Sequence, residues 1–110
     1  MDALISPLMD ISSLDNPYLI FHYAYAYTGN ESQKDTLAII YSNDCGETYI
    51  PLWSRSGENL ATAPNTSTPF TPGAEDWDSV VVSLNTLTDI QQIHFALANI
   101  SRGGNNIYID

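Results

Sequence analysis

The sequence predicts an all-β domain, a jelly-roll-like β-sandwich of two antiparallel sheets, and three observations carry that prediction. Apolar residues alternate with period two over short runs, and the runs are separated by clusters of Gly, Pro, Asn, Asp and Ser. No segment carries an apolar stripe at helical spacing. The chain has 110 residues, 44% of them hydrophobic, which is enough for one core and one domain over residues 1–110.

Each element follows in order. Leu4 and Ile5, just before Pro7, predict a short first strand. Residues 18–27 place Leu19, Phe21, Tyr23, Tyr25 and Tyr27 on one face, and Ile20, His22, Ala24 and Ala26 on the other. The second face is small rather than charged, so cover is expected on both sides, as inside a two-layer sandwich. Continuity with Leu19 and Phe21 assigns the three tyrosines to the core rather than to an open sugar-stacking face. Residues 35–42 align Leu37, Ile39 and Tyr41. Strands are predicted over 48–53, 79–84 and 90–100, the last aligning Ile93, Phe95 and Leu97, and residues 107–109 close the chain as a short strand. Residues 28–34 and 57–75 read as loops, and residues 83–92 have room for one helical turn. Gly103 and Gly104 provide for positive φ before the last strand.

The charge is lopsided. Thirteen acids stand against Lys34, Arg55 and Arg102, for a net charge of -10. A phosphate backbone needs a basic footprint, so nucleic acid is excluded as a partner, and an anionic membrane surface is disfavoured for the same reason. No apolar run approaches the roughly 20 residues of a membrane-spanning helix, so no membrane insertion is expected. The start Met1-Asp2-Ala3-Leu4 lacks the basic and apolar regions of a secretion signal. The chain therefore reads either as cytoplasmic or as a piece of a larger exported protein. Cys45 is the single cysteine, so an intrachain disulfide is impossible.

The sharpest local motif is Ser42-Asn43-Asp44-Cys45-Gly46-Glu47-Thr48-Tyr49, a Ser-x-Asp-x-Gly-x-Thr-aromatic pattern like the Asp-box of sialidases. Asp44 is placed to accept hydrogen bonds within its own turn, with Gly46 at positive φ and Tyr49 packing back. A propeller enzyme needs several such boxes and this chain has one, so the motif reads as a structural turn. Trp53 and Trp77 flank the long loop, and Trp77 lies between Asp76 and Asp78. An aromatic ring beside two acceptors is a carbohydrate-binding combination, which makes Trp77, Trp53, Asp76 and Asp78 the ligand-binding candidates, with an anchoring tryptophan at a strand start as an equal reading of Trp77. The same acids, read as a carboxylate pair, give the weaker alternative of a glycosidase fragment. His22 and His94 belong to no metal or catalytic spacing. For metal, Asp2, Asp110, Asn105 and Asn106 sit at the two ends of the chain, and calcium takes oxygen donors of this kind. In a jelly roll the first and last strands are commonly neighbours.

Several stretches together resemble a known group: Leu4-Ile-Ser-Pro7, Asn16-Pro-Tyr-Leu-Ile-Phe21, Tyr23-Ala-Tyr25-Ala26, Tyr41-Ser-Asn-Asp-Cys-Gly-Glu-Thr-Tyr49, Leu52-Trp53, Phe70-Thr-Pro72, Trp77 and Asn105-Asn-Ile-Tyr-Ile-Asp110. They are similar to the jelly-roll modules of the MAM-like, choice-of-anchor J and cleaved-adhesin group, found in large secreted bacterial proteins and often beside metallopeptidase domains. The resemblance implies a non-catalytic adhesion or accessory module, extracellular or surface-displayed, that binds a glycan or an extracellular protein or packs on neighbouring domains of its parent chain. A purely structural spacer is the alternative. It also implies structural calcium on Asp2 and Asp110, with Asn105 or Asn106 less firmly placed. Members of the group carry further strand upstream of Leu4 and past the final Asp, which implies a fragment with an open sheet edge.

Overall fold

A computed structural model describes the backbone of residues 2–89 and 92–110, with side chains from Leu4 onward. The chain is all-β, and the described residues form seven strands: β1 (Asp2–Ile5), β2 (Tyr18–Ala24), β3 (Thr36–Ser42), β4 (Ile50–Ser56), β5 (Asp78–Ser83), β6 (His94–Ile100) and β7 (Tyr108–Ile109). They form two antiparallel sheets, β1-β6-β3-β4 and β5-β2-β7. Only β3 and β4 are joined as a hairpin within one sheet; every other connection passes from one sheet to the other. This is the predicted sandwich. One expectation changes: the first and last strands are not neighbours, since β1 pairs with β6 and β7 pairs with β2.

Alternation decides which side chains meet. Leu37 and Ile39 of β3 face Phe21 and Tyr23 of β2 and Val80 and Val82 of β5, and with Tyr25, Tyr27 and Leu60 they make the main core. A second cluster of Ile11, Leu84, Leu87, Ile93 and Phe95 closes one end, and Leu19 and Leu52 touch both clusters. Burying each large apolar side chain contributes about 1.5–3 kcal/mol, so these inner rows supply the main driving force.

The tyrosine row is core, as its periodicity indicates: Tyr23, Tyr25 and Tyr27 are all buried. Yet β2 stops at Ala24. Tyr25 and Tyr27 are held by the long loop instead, through Thr62 N–H to the Tyr25 carbonyl (2.8 Å) and Thr66 N–H to the Tyr27 carbonyl (2.9 Å). Strand β4 begins at Ile50 rather than 48 and runs on to Ser56. Thr48 is spent on the preceding turn, and Ser54-Arg55-Ser56 is polar because β4 is an edge strand. Its register slips between Ile39 and Ile40, where Trp53 and Pro51 are successive partners. Leu52 is the extra residue of this bulge, at a sheet edge where bulges and proline are tolerated. Strand β6 begins at His94; Ile90 and Gln91, placed in that strand by the sequence, lie outside the described residues.

Candidate functional site

The turn after β3 is built around Asp44. Its carboxylate accepts from Ser42 Oγ (2.6 Å), from Thr48 N–H (2.9 Å) and from Thr48 Oγ1. These donors hold the Asp44 carboxyl at a pKa of about 2, the Ser42 hydroxyl contributing most. Ser42 Oγ in turn accepts from Gly46 N–H (2.9 Å), and Gly46 sits at φ 89° as its motif position requires. Ser42 and Thr48 are therefore tied through Asp44 rather than to each other, and the Tyr49 hydroxyl stands over Gly46. Both carboxylate oxygens of Asp44 are committed to the turn, which is what a structural role requires.

The four ligand-binding candidates gather along the β4 and β5 edges. Trp53 is half-buried, with Phe21 meeting its ring edge-on at 5.5 Å and the Arg55 guanidinium over it at 5.1 Å. Arg55 donates to Tyr23 Oη (3.3 Å) and stands 3.9 Å from Asp78 Oδ2, so it links Trp53 to Asp78 across the two sheets. Asp76 accepts from Gly73 N–H (2.9 Å) and closes the short 3-10 turn Ala74–Asp76. Trp77, 37% exposed, carries the more open of the two indole rings. Trp53 thus anchors the sandwich edge, and Asp76 is engaged as a turn cap.

Among the described residues the metal candidates lie apart. Asn105 donates both amide hydrogens to backbone, to Thr66 O (2.9 Å) and Ala26 O (3.2 Å), leaving only its Oδ1. Asp110 pairs its backbone with His22 (2.8 and 2.9 Å) on the three-stranded sheet. Ala26 and His22 are about 13 Å apart along an extended chain. The side chain of Asp2 lies outside the described residues, and its strand belongs to the other sheet. Among the described residues no group of three or more Asp, Glu, His or Cys comes together.

Three features went unread in the sequence. A polar cleft of about 330 Å³ opens between residues 67–71 and 104–108, with Ser67, Phe70, Thr71, Asn105, Asn106 and Tyr108 around it. Phe70 and Tyr108 meet edge to face at 6.2 Å, and Tyr108 Oη donates to the Phe70 carbonyl (2.9 Å). An apolar groove of about 390 Å³ lies between the sheets beside β1 and β2. Asp35 is buried at 1% exposure, accepting from Tyr25 Oη and Arg102 N–H. A run such as Ser-Thr-Pro-Phe-Thr-Pro is a loop by composition, and nothing in it announces which other loop it will face. No family model, curated protein or solved structure compared with this chain matches it.

Proposed function

We propose that this domain is a non-catalytic binding module of a surface-displayed or secreted protein, and that its ligand is a neutral glycan seated in the Phe70–Tyr108 cleft. The observation that carries the reading is the lining: an aromatic pair beside amides and hydroxyls, with no carboxylate among the lining residues. Ring faces meet sugar C–H groups, while Asn105 Oδ1, the exposed Asn106 amide and Thr71 offer partners for sugar hydroxyls. The adhesin-type resemblance supports the same class of role, and calcium enters the reading on that resemblance alone.

A glycan array followed by calorimetric titration tests it. Wild type is expected to bind, with Asn106→Ala and Tyr108→Ala each weakening affinity about tenfold or more, equivalent to about 1.4 kcal/mol. Loss in Trp77→Ala but not in Asn106→Ala moves the site to the β5 edge. Binding of no glycan by wild type overturns the carbohydrate reading. Calcium is tested separately by melting: a bound structural ion raises Tm in millimolar calcium and loses the gain to chelator, whereas an unchanged Tm removes it.

One observation favours the alternative of a module that packs on a neighbouring domain. The outer face of the three-stranded sheet exposes Tyr18, Ile20 and Val81, with Ile20 and Val81 directly paired. An apolar outer face is where a neighbouring domain would lie.

A further inference from the structure

Tyr108 belongs both to the polar cleft and to the outer face of the three-stranded sheet. It pairs with Ala24 of β2, and side chains alternate along a strand, so Tyr108, Ala24, His22, Ile20 and Tyr18 all turn away from the core. Phe21 and Tyr23, which lie between them in sequence, are buried in that core. The cleft therefore stands at one end of a strip that follows β2 back to Tyr18. Ala24 and Tyr18 are about 20 Å apart along the extended strand.

The strip is built of cross-strand pairs between β2 and β5: His22 with Ser79, Ile20 with Val81 and Tyr18 with Ser83. All six residues are exposed, Tyr18 at 63%. An imidazole and a hydroxyl come first, an aliphatic pair next, and a phenol ring with a hydroxyl last. Asp110, bonded through its backbone to His22, adds a carboxylate acceptor. The centres of protein interfaces are short of serine and of charge, so this interleaving argues against a folded partner over the strip. A sugar chain presents C–H faces and hydroxyl edges in turn, and ring, aliphatic and hydroxyl groups meet them in that alternation. The cleft, at about 330 Å³, is at the small end of ligand sites, so a chain seated in it must continue outside.

We infer that the ligand is a neutral linear glycan, held at one part in the cleft and laid along the outer face of β2 with Tyr18 as its far stacking platform. The inference rests on the carbohydrate reading of the cleft and gives that reading its ligand class, a chain of several units rather than a single terminal sugar. The net charge of -10 and the carboxylate of Asp110 repel an anionic polymer, which leaves a neutral one. Ile20 and Val81 lie under the middle of the chain, and His22 and Ser79 offer hydrogen bonds to its hydroxyls between them and the cleft.

Calorimetric titration of the whole chain tests it with neutral glucose oligomers, α-1,4- and β-1,4-linked, each as a two-unit and a six-unit chain, and with the same two lengths of any other neutral sugar that the array returns. The six-unit chain is expected to bind at least tenfold more tightly than the two-unit chain. Tyr18→Ala should weaken six-unit binding at least tenfold and close most of the gap between the lengths, whereas Tyr108→Ala should weaken both lengths alike. In wild type the six-unit chain alone should shift the NMR signals of Ile20 and Val81, a readout that needs no variant. Equal affinity for the two lengths, or a Tyr18→Ala chain that keeps the gap, overturns the inference, returns this face to a neighbouring domain and leaves the cleft reading standing. A solution dimer that already covers Ile20 and Val81 overturns it as well. Binding of neither length of any sugar removes the carbohydrate reading itself, and this inference falls with it.

Discussion

Tyr25 Oη donates to Asp35 Oδ2 at 3.2 Å, both side chains essentially removed from solvent. The same carboxylate accepts from Arg102 N–H (2.5 Å), and the Asp35 carbonyl accepts from Gly57 N–H (3.0 Å). One residue therefore pins three segments: the middle of the tyrosine row, the start of the long loop and the loop before β7. That last loop also carries Asn105, so the Asp35 cluster fixes one wall of the proposed glycan cleft.

Removing either partner should cost stability in a coupled way. Tyr25→Phe loses one hydrogen bond, about 1 kcal/mol, but leaves Asp35 with Arg102. Asp35→Ala leaves the buried Tyr25 hydroxyl and the part-buried Arg102 N–H unpaired and should cost about 2–4 kcal/mol. The double variant should be less destabilised than the sum, with a coupling of about 0.5–1.5 kcal/mol, because both single changes break the same contact. Denaturant unfolding of the four proteins measures it; strict additivity would show that the contact contributes nothing.

The same pair sets an alkaline limit. Burial first, and then the Asp35 charge, push the Tyr25 phenol well above its ordinary range. The unfolded chain gives up this proton near pH 10 while the folded chain keeps it. Stability from Tyr25 is thus fully present below about pH 10 and declines as pH rises above it, since the folded state then binds more protons than the unfolded state. Unfolding free energies measured from pH 8 to 11.5 should fall above pH 10 in wild type and fall less steeply in Tyr25→Phe.

What was legible in the sequence is what depends on local chemistry. The inward row Leu19, Phe21 and Tyr23 follows from period two, and the turn at Asp44 follows from residues within a few positions of one another. What was illegible depends on long-range placement. Asp35 looks like any acid before a strand, and only the arrival of Arg102 and Tyr25 makes it a buried keystone. Asn105 reads as an oxygen donor by residue type, but the fold spends its amide on Ala26 and Thr66, so the property used is donation. Trp53 reads as a sugar platform, but bulging at Leu52 and contact with Phe21 make it an edge anchor. Asp76 reads either as one of a carboxylate pair or as part of an acidic turn, and its carboxylate accepts from Gly73 N–H in that turn.

The Asp44 turn predicts the acid behaviour. Its carboxyl is held at about 2 in the folded chain, below the roughly 3.9 of an unfolded aspartate. A depressed folded value contributes stability above about pH 4 and loses it as pH falls through about 2. Asp44→Asn should therefore be less stable than wild type at pH 7, and the gap between the two should narrow from pH 4 to pH 2. Parallel curves across that window would show that Ser42 and Thr48 do not favour the charged form.

The adjacent glycines of the loop before β7 should not be equivalent. Sequence alone makes both of them providers of positive φ, but only Gly103 has it, at 82°, with open space where a Cβ would stand. Gly103→Ala should cost about 1–2 kcal/mol of left-handed strain and nothing more. Gly104 is needed for close approach: a Cβ there would collide with Asp35 Oδ2 and stand 2.8 Å from the Gln33 carbonyl. A backbone carbonyl and a buried carboxylate held by two donors have little room to yield. Gly104→Ala should therefore cost about 2–3 kcal/mol, at the upper end of overpacking, and should exceed Gly103→Ala. Because the damage falls on Asp35, it should shrink in an Asp35→Ala background, while the Gly103→Ala penalty stays the same. Thermal or denaturant unfolding of the glycine variants in both backgrounds reads the difference, and equal penalties at the two glycines would show that Asp35 does not hold this loop against the sandwich.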